Sequence, residues 1–475
     1  MKSGSGAPGA APDAVLYAVT RPLAQVPSLD DLIGQADPRH PLVWTRGDRG
    51  CVGVGEALRL HFSGPSRFAD AAEAWRAISA RAVIDDPVRM PGSGLVAFGS
   101  FAFADEAAGV DAPGARTDRD GEAEGTVSAL IVPRILIARH RGTAWITEIG
   151  FAPFEHAPVL PSPAAPGAWA GAELPIDDAD PSYLAGVREA TSRIDRGEAE
   201  KIVLARQVRG SIPASDDLRV PLLRLAGRYD DCWTYAVDGM IGASPETLIR
   251  RTDGAISGRV LAGTRGRKPE DPAADARARD DLLTSAKEQH EHAFAVQSVI
   301  TALSPHVREL HTSEEPFALR LPNVWHLATE LGAVPGDQGS SLELAAALHP
   351  TAAVAGTPTA AAVEAIAELE PAGRGRYAGP VGWIDAAGEG EWVIALRCAE
   401  VGPGLDRPAG DGPDRSGADP DAPAHASADE DAVDTATART VTAYAGGGIV
   451  AGSDPAHEFG ETVSKFAPIA EAFAP

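Results

Sequence analysis

The stretch "EAEKIVLARQV" (198–208) puts a lysine at the mouth of an apolar run, in a chain where only five of 42 basic residues are lysine: Lys2, Lys201, Lys268, Lys287 and Lys465. An arginine stays charged at any relevant pH, whereas a lysine whose pKa is lowered by its surroundings can accept a proton. Lys201 is therefore a candidate base, the plain alternative being a solvated strand end. Two carboxylate pairs could act with it. Glu288 and Glu291 in "AKEQHEH", and Glu458 and Glu461 in "SDPAHEFGETVSKF", are each three apart. That spacing puts both members on one helix face, about a turn apart. Two such faces turned towards each other would repel unless a divalent cation lay between them, and an all-oxygen site that keeps some waters is what Mg2+ prefers. The competing reading is a pair of solvated helix faces, with Glu461 and Lys465 forming an exposed ion pair.

Arg397 in "VIALRCAEV" and Tyr377 in "RGRYAGPVGW" lie in apolar strand contexts, where a charge or a hydroxyl needs a partner. That partner is either a protein carboxylate or the carboxylate of a substrate. "YAGGGIV" (444–450) reads as a glycine turn whose backbone N–H groups can converge on an anion. No G-x-x-x-x-G-K-[ST] phosphate loop occurs, which argues against nucleotide binding.

Several elements must carry these groups. "DPSYLAGVREATSRIDRG" has a start signal in Asp180-Pro181, apolar residues at Leu184, Val187 and Ile194, and a stop at Gly197, which predicts a helix that delivers the chain to Lys201. A single long helix from about 275 to 303 is expected to bear "SAKEQHEH". A second, from Pro455 to 472 with Asp454 as cap, is apolar at Phe459, Phe466 and Ile469. Strand-like runs are "GLVAFGSFAF", "VSALIVPRILIAR", "GAISGRVLAGT", "YAGPVGWIDA", "EWVIALRCAEV" and "TVTAYAGGGIV". Residues 1–13 read as a disordered lead and 104–126 as a loop. The Pro/Ala-rich stretch 157–174 separates an N-terminal part of the fold (14–170) from a catalytic region (175–475). Within the latter, 402–438 holds nine acids, two arginines and almost no large apolar residue. It cannot offset its ordering entropy by burial and is expected to be a disordered acidic hairpin tip.

The chain has 475 residues, 44% of them apolar, which is enough for a large core. A net charge of -25 without any basic stripe argues against a nucleic-acid partner. Cys51, Cys232 and Cys398 are far apart and odd in number, so they form neither a disulfide framework nor a zinc site. There is no leader-like apolar segment and no run of about 18 apolar residues, so no membrane partner and a cytoplasmic location are expected.

Taken together, "EKIVLAR", "GASPETLIR", "LAGTRGR", "SAKEQHEH", "WHLATEL", "LHPTAAVAGTP", "RYAGPVGW", "VIALRCAEV" and "YAGGGIVAGSDPAHEFGETVSKF" resemble the chorismate-utilising enzymes, the family of anthranilate synthase component I, and within it most closely the isochorismate synthases. The stretches follow the family's order from about 180 to 475, while the N-terminal third matches only diffusely. The resemblance implies that Lys201 activates water and that Glu246 of "GASPE" protonates the leaving hydroxyl. It implies Mg2+ as cofactor, with Glu291 and Glu461 as direct ligands and Glu288 and Glu458 acting directly or through waters. Tyr377 and Arg397 would hold the enolpyruvyl carboxylate. Thr264, Gly446, Gly447, Gly448 and Lys465 would lie around the ring carboxylate and metal, and His326 would line the ring.

The implied fold is α+β: one large domain of mainly antiparallel sheet flanked by helices, with the site in a cleft between layers. A Rossmann-like alternation is disfavoured for want of a Gly-rich first turn. The implied reaction is a reversible, Mg2+-dependent conversion of chorismate to isochorismate, serving menaquinone or catecholate siderophore formation. The rivals are a salicylate synthase, which goes on to release pyruvate, and a catalytically silent cation-binding scaffold. Anthranilate synthases resemble this pattern but carry glutamine at the position of Lys201 and an N-terminal "LLES" that is absent here. Aminodeoxychorismate synthases carry lysine where Ala262 stands. No glutaminase subunit is therefore expected, and the enzyme is expected to be a monomer.

Overall fold

A computed structural model describes residues 15–104, 127–322, 324–402 and 438–475, with the backbone of Arg116–Thr117 and Ala123–Glu124. The expected lead at 1–13, nearly all of the 104–126 loop and all but the ends of the 402–438 insertion fall outside the described residues.

Two large sheets, of 12 and 10 strands, form the body of the molecule. Their ladders are antiparallel except for one short parallel pair, Tyr17–Pro22 with Val83–Asp85. The N-terminal third does not stand apart. Its strands Leu42–Arg46, Arg49–Val54, Ile135–His140 and Thr143–Gly150 extend the 12-stranded sheet, and Leu58–Phe62, Val96–Ser100 and Ser128–Val132 extend the other.

Apolar runs that read as single strands are broken where the chain passes from one sheet to the other. "VSALIVPRILIAR" becomes Ser128–Val132 in the 10-stranded sheet and Ile135–His140 in the 12-stranded one, parted at Pro133, which has no N–H for a ladder. "EWVIALRCAEV" becomes Gly390–Ile394 and Cys398–Val401, again in different sheets, and the connecting Arg397 takes φ +49. Met240–Ser244 and Thr247–Thr252 are likewise divided between the sheets, with Pro245 and Glu246 at the crossing. These crossings place side chains in the gap between the layers.

The helices follow their caps. Pro181–Asp195 starts on Asp180, whose side chain accepts from the Tyr183 N–H, and Gly197 leaves it at φ +77. The single helix expected over 275–303 is two, Pro272–Thr284 and Ala286–Leu303. Ser285 breaks them at ψ 112 and caps the second by accepting from the Glu288 N–H. That break re-aims the helix that bears Glu288 and Glu291. The last helix, Pro455–Phe473, begins on Asp454 and buries Phe466, Ile469 and Phe473. Among the described residues no helix is long and apolar enough to cross a membrane, and the three cysteines are free and buried.

Candidate active site

Lys201 opens the strand Lys201–Pro213, which pairs along its length with Ala438–Ile449. Gly446, Gly447 and Gly448 lie within that second strand, opposite Ala205, Leu204 and Val203, and do not form the turn that their sequence suggests. Their role is to leave space. A Cβ on Gly448 would stand 2.6 Å from Lys201 Cε, and one on Gly446 would stand 2.7 Å from the Leu204 carbonyl oxygen. The lysine side chain therefore runs over a strip of bare backbone into the pocket. Its Nζ donates to Glu291 Oε1 at 2.6 Å.

Glu291 and Glu288 come from Ala286–Leu303, which packs on the 10-stranded sheet. His292 fastens that helix: Nδ1 lies 3.2 Å from the Ala262 carbonyl oxygen and Nε2 lies 2.7 Å from Thr329 Oγ1. Burial lowers the pKa of His292, which suits the neutral form for this bracing. Glu288 accepts from Arg265 Nη1 at 2.9 Å. Beside it the strand Ala255–Gly266 shifts register between Ala262 and Thr264, at Gly263 with φ +81. A Cβ at Gly263 would come within 3.0 Å of Glu288 Oε2, so the glycine is needed on both counts.

Glu458 and Glu461 come from the opposite side, on Pro455–Phe473, which packs on the 12-stranded sheet. Lys465 pairs with Glu461 and donates to the Gly446 carbonyl at 2.8 Å, so this pair faces the pocket and not bulk water. Burial works to raise the Glu461 pKa, but Lys465, with His326 and Arg397, more than offsets it and holds the carboxyl below its ordinary value. Glu458 is raised instead, by burial first and then by Glu461, and forms no ion pair among the described residues.

Glu246 sits on the Pro245–Glu246 crossing. Its backbone N–H donates to Ser244 Oγ at 3.3 Å, and that hydroxyl donates to the Ile394 carbonyl at 2.7 Å. Burial pushes its carboxyl up to about 8, against the smaller pull of the Leu261 backbone N–H and the charges of Lys201 and Arg397. It therefore keeps its proton at neutral pH. Arg397, on the other crossing, is partly buried and has no carboxylate partner among the described residues; its Nη2 lies 3.4 Å from His326 Nε2. Burial, with Arg397 and Lys465, pushes His326 down to about 3, so the ring is neutral and can accept from the guanidinium on Nε2. Its Nδ1, 3.0 Å from Thr264 Oγ1, then carries the hydrogen. Tyr377 is buried against Tyr444, their rings stacked at 5.1 Å, and burial raises its hydroxyl pKa.

One pocket between the sheets is lined by every one of these residues: Lys201, Glu246, Thr264, Glu288, Glu291, His326, Tyr377, Arg397, Gly446, Gly447, Gly448, Glu458, Glu461 and Lys465. It is also lined by Arg265 and Arg374, which sequence reasoning did not single out. In an arginine-rich chain their type gives no signal, and only the ion pairs Arg265–Glu288 and Arg374–Glu370 mark them. The carboxylates suit a hard divalent cation in type, and Glu458 is buried without a counter-ion. Among the described residues, however, no three metal-ligating side chains are gathered at one point. Lys201, Arg265 and Lys465 instead neutralise Glu291, Glu288 and Glu461.

The family model for chorismate binding enzymes matches residues 10–152 and 172–404. The chain belongs to that family. An isochorismate synthase of Bacillus subtilis strain 168 is 37% identical over 296 residues, 60% of this chain and 65% of that protein. The chain thus spans just under two thirds of that relative. A salicylate biosynthesis isochorismate synthase of Pseudomonas aeruginosa is 30% identical over 470 residues, 95% of this chain and 89% of that protein. Among solved structures, a candidate 2,3-dihydroxybenzoate-specific isochorismate synthase of Bacillus anthracis superposes with a TM-score of 0.67 at 27% identity, covering 94% of this chain and 99% of that one. The family likeness thus includes the N-terminal third, which the sequence motifs had matched only diffusely.

Proposed function

We propose that this chorismate binding enzyme is an isochorismate synthase, acting as a monomer without a glutaminase subunit. Its product would feed menaquinone or catecholate siderophore formation. The reaction adds water at C2 of chorismate and expels the C4 hydroxyl. One proton must leave the attacking water and one must reach the departing oxygen, so an acid and a base are needed together near neutral pH. The observation that carries the reading is Glu246, a carboxylic acid kept protonated in the pocket whose other wall bears the lysine that the family pattern assigns as base.

In the forward direction Lys201 Nζ accepts a proton from water as the oxygen bonds to C2. The two ring double bonds shift, the C4–O bond breaks, and Glu246 gives its proton to the leaving hydroxyl, which departs as water. Arg397, desolvated and without a carboxylate of its own, is suited to the enolpyruvyl carboxylate, with Tyr377 beside it. Lys465, Thr264 and the bare glycine strand border the space for the ring carboxylate.

Mg2+ fits the donor chemistry, with Glu291 and Glu461 as direct ligands and Glu288 and Glu458 beside them or reaching it through waters. When bound, it would neutralise the ring carboxylate and hold it in place. Lys201 Nζ donates to Glu291 Oε1 at 2.6 Å, so the proposed base and a proposed metal ligand are hydrogen-bonded to each other. Incubation with chorismate and Mg2+, followed by chromatography, should give isochorismate as the sole new product beside the chorismate left at equilibrium. Release of pyruvate with salicylate, or unchanged chorismate, would overturn the assignment.

A further inference from the structure

Next to the active-site pocket lies a second cleft of about 210 Å3, between the helix Pro181–Asp195, the strand Lys201–Pro213 and the end of the helix Thr359–Leu369. It is smaller than the ~300–1,000 Å3 of drug-sized sites, which limits it to a compact ligand. Leu204, Leu369 and Pro371 give it apolar walls. Two of its lining residues, Tyr183 and Tyr444, are more than nine-tenths buried and carry hydroxyls without a hydrogen-bond partner, and Gln207 Oε1 is unpartnered as well. Buried polar tips left unmade carry a desolvation cost that a ligand would remove.

Arg206 also lines this cleft, 5% exposed, and makes no ion pair among the described residues. Its Nε donates to Thr462 Oγ1 at 2.7 Å and its Nη2 to the Ile176 carbonyl at 2.6 Å, while the rings of Phe459 and Phe466 cover the guanidinium at 4.3 and 4.8 Å. Asp180 and Asp177 act on it only from beyond ion-pair range, and Asp180 already caps its helix. A desolvated guanidinium beside unpartnered hydroxyls and apolar walls is a receptor for a carboxylate carried on an apolar body.

We propose that this cleft is a second small-molecule site, for a compact cyclic carboxylic acid, whose occupancy is felt in the active site. The coupling is short. The Tyr183 hydroxyl lies 3.7 Å from where a Cβ on Gly447 would stand, and from that same point Glu458 Oε2 is 3.4 Å and Glu461 Oε1 is 3.9 Å away. Arg374 lines both cavities, and the Tyr444 ring stacks on Tyr377. A ligand that orders Tyr183 therefore bears on the carboxylates of the catalytic pocket.

The test is calorimetric titration of the full chain with benzoate, alone and with the active site saturated by chorismate, using benzamide as the uncharged control. One site should bind benzoate under both conditions and benzamide more weakly. Tyr183→Phe, which removes only an unsatisfied hydroxyl and should leave folding and basal turnover intact, should weaken benzoate at least tenfold. Gly186→Val, whose side chain would extend from the helix into the cleft, should abolish binding, and benzoate should alter turnover in the parent but not in this variant. Displacement of benzoate by chorismate would place it in the catalytic pocket and overturn the proposal. So would equal affinity in Tyr183→Phe and Gly186→Val, or no heat of binding at all. The binding arm does not depend on isochorismate being the product.

Discussion

Lys201 and Glu291, 90 positions apart in sequence, meet at 2.6 Å across the pocket that separates the two sheets. One comes from the 12-stranded sheet and the other from a helix on the 10-stranded sheet. The proposed base is thus held by a proposed metal ligand, so proton transfer and cation binding draw on one carboxylate.

Lys201→Arg keeps the positive charge beside Glu291 but cannot give up a proton. Its turnover of chorismate should fall by about 100-fold or more, a typical general-base contribution, and Lys201→Gln should fall as far. Far-UV circular dichroism should be unchanged in both. An arginine variant with near-parental turnover would mean that the residue serves only as a cation.

The four carboxylates predict metal dependence. Activity should vanish in excess chelator and return with Mg2+, and Glu461→Gln should raise the Mg2+ concentration needed for half-maximal rate roughly tenfold. Calorimetric titration of Mg2+ into the substrate-free variant should show the same weakening, since one charged oxygen ligand is lost. Parental activity of Glu461→Gln in chelator would contradict the assignment.

The acid role of Glu246 sets the alkaline limb of the rate profile. Its carboxyl is raised to about 8 in the fold, so forward turnover should decline as pH rises through that value. The same shift predicts a stability effect. Because the folded state holds the proton more tightly than the unfolded chain, the contribution is fully present below the unfolded value near ~4.3 and is lost as pH rises through about 8. Melting temperatures of the parent, measured against Glu246→Gln, should therefore fall across that window, and parallel curves would show that Glu246 is not held protonated.

The acidic insertion leaves and rejoins the fold at neighbouring points. Cys398–Val401 pairs with Tyr444 back to Val441, the Gly402 N–H donates to the Thr440 carbonyl at 2.8 Å, and Arg439 Nε donates to the Gly402 carbonyl at 2.9 Å. A short Gly/Asn turn in place of 404–436 can therefore close the hairpin. Turnover and melting temperature should stay within the error of measurement, and a loss of several degrees would show that the segment docks.

The site was legible where chemistry dictates residue type. A lysine in an arginine-rich chain, paired glutamates at helical spacing and an arginine in an apolar run all line one pocket. What escaped the sequence were features set by tertiary context. Hydrophobic periodicity cannot mark the point where a strand leaves one sheet for another, so the crossing that seats Arg397 was hidden inside an apparently continuous run. Nor can it mark Ser285 as a break, since serine is tolerated within helices and only its cap hydrogen bond reveals the boundary. Gly446–Gly448 looked like a turn because glycine usually signals one. In the fold these residues are strand, bare so that Lys201 can cross them.

The most direct test of water addition is mass spectrometry of the product formed from chorismate in water enriched in 18O. The account predicts isochorismate heavier by about two mass units, with the label at C2, because the C4 oxygen leaves and a solvent oxygen enters on the base side of the ring. Unlabelled isochorismate formed at the full rate would mean that the hydroxyl migrates without exchange, and the roles given to Lys201 and Glu246 would be wrong.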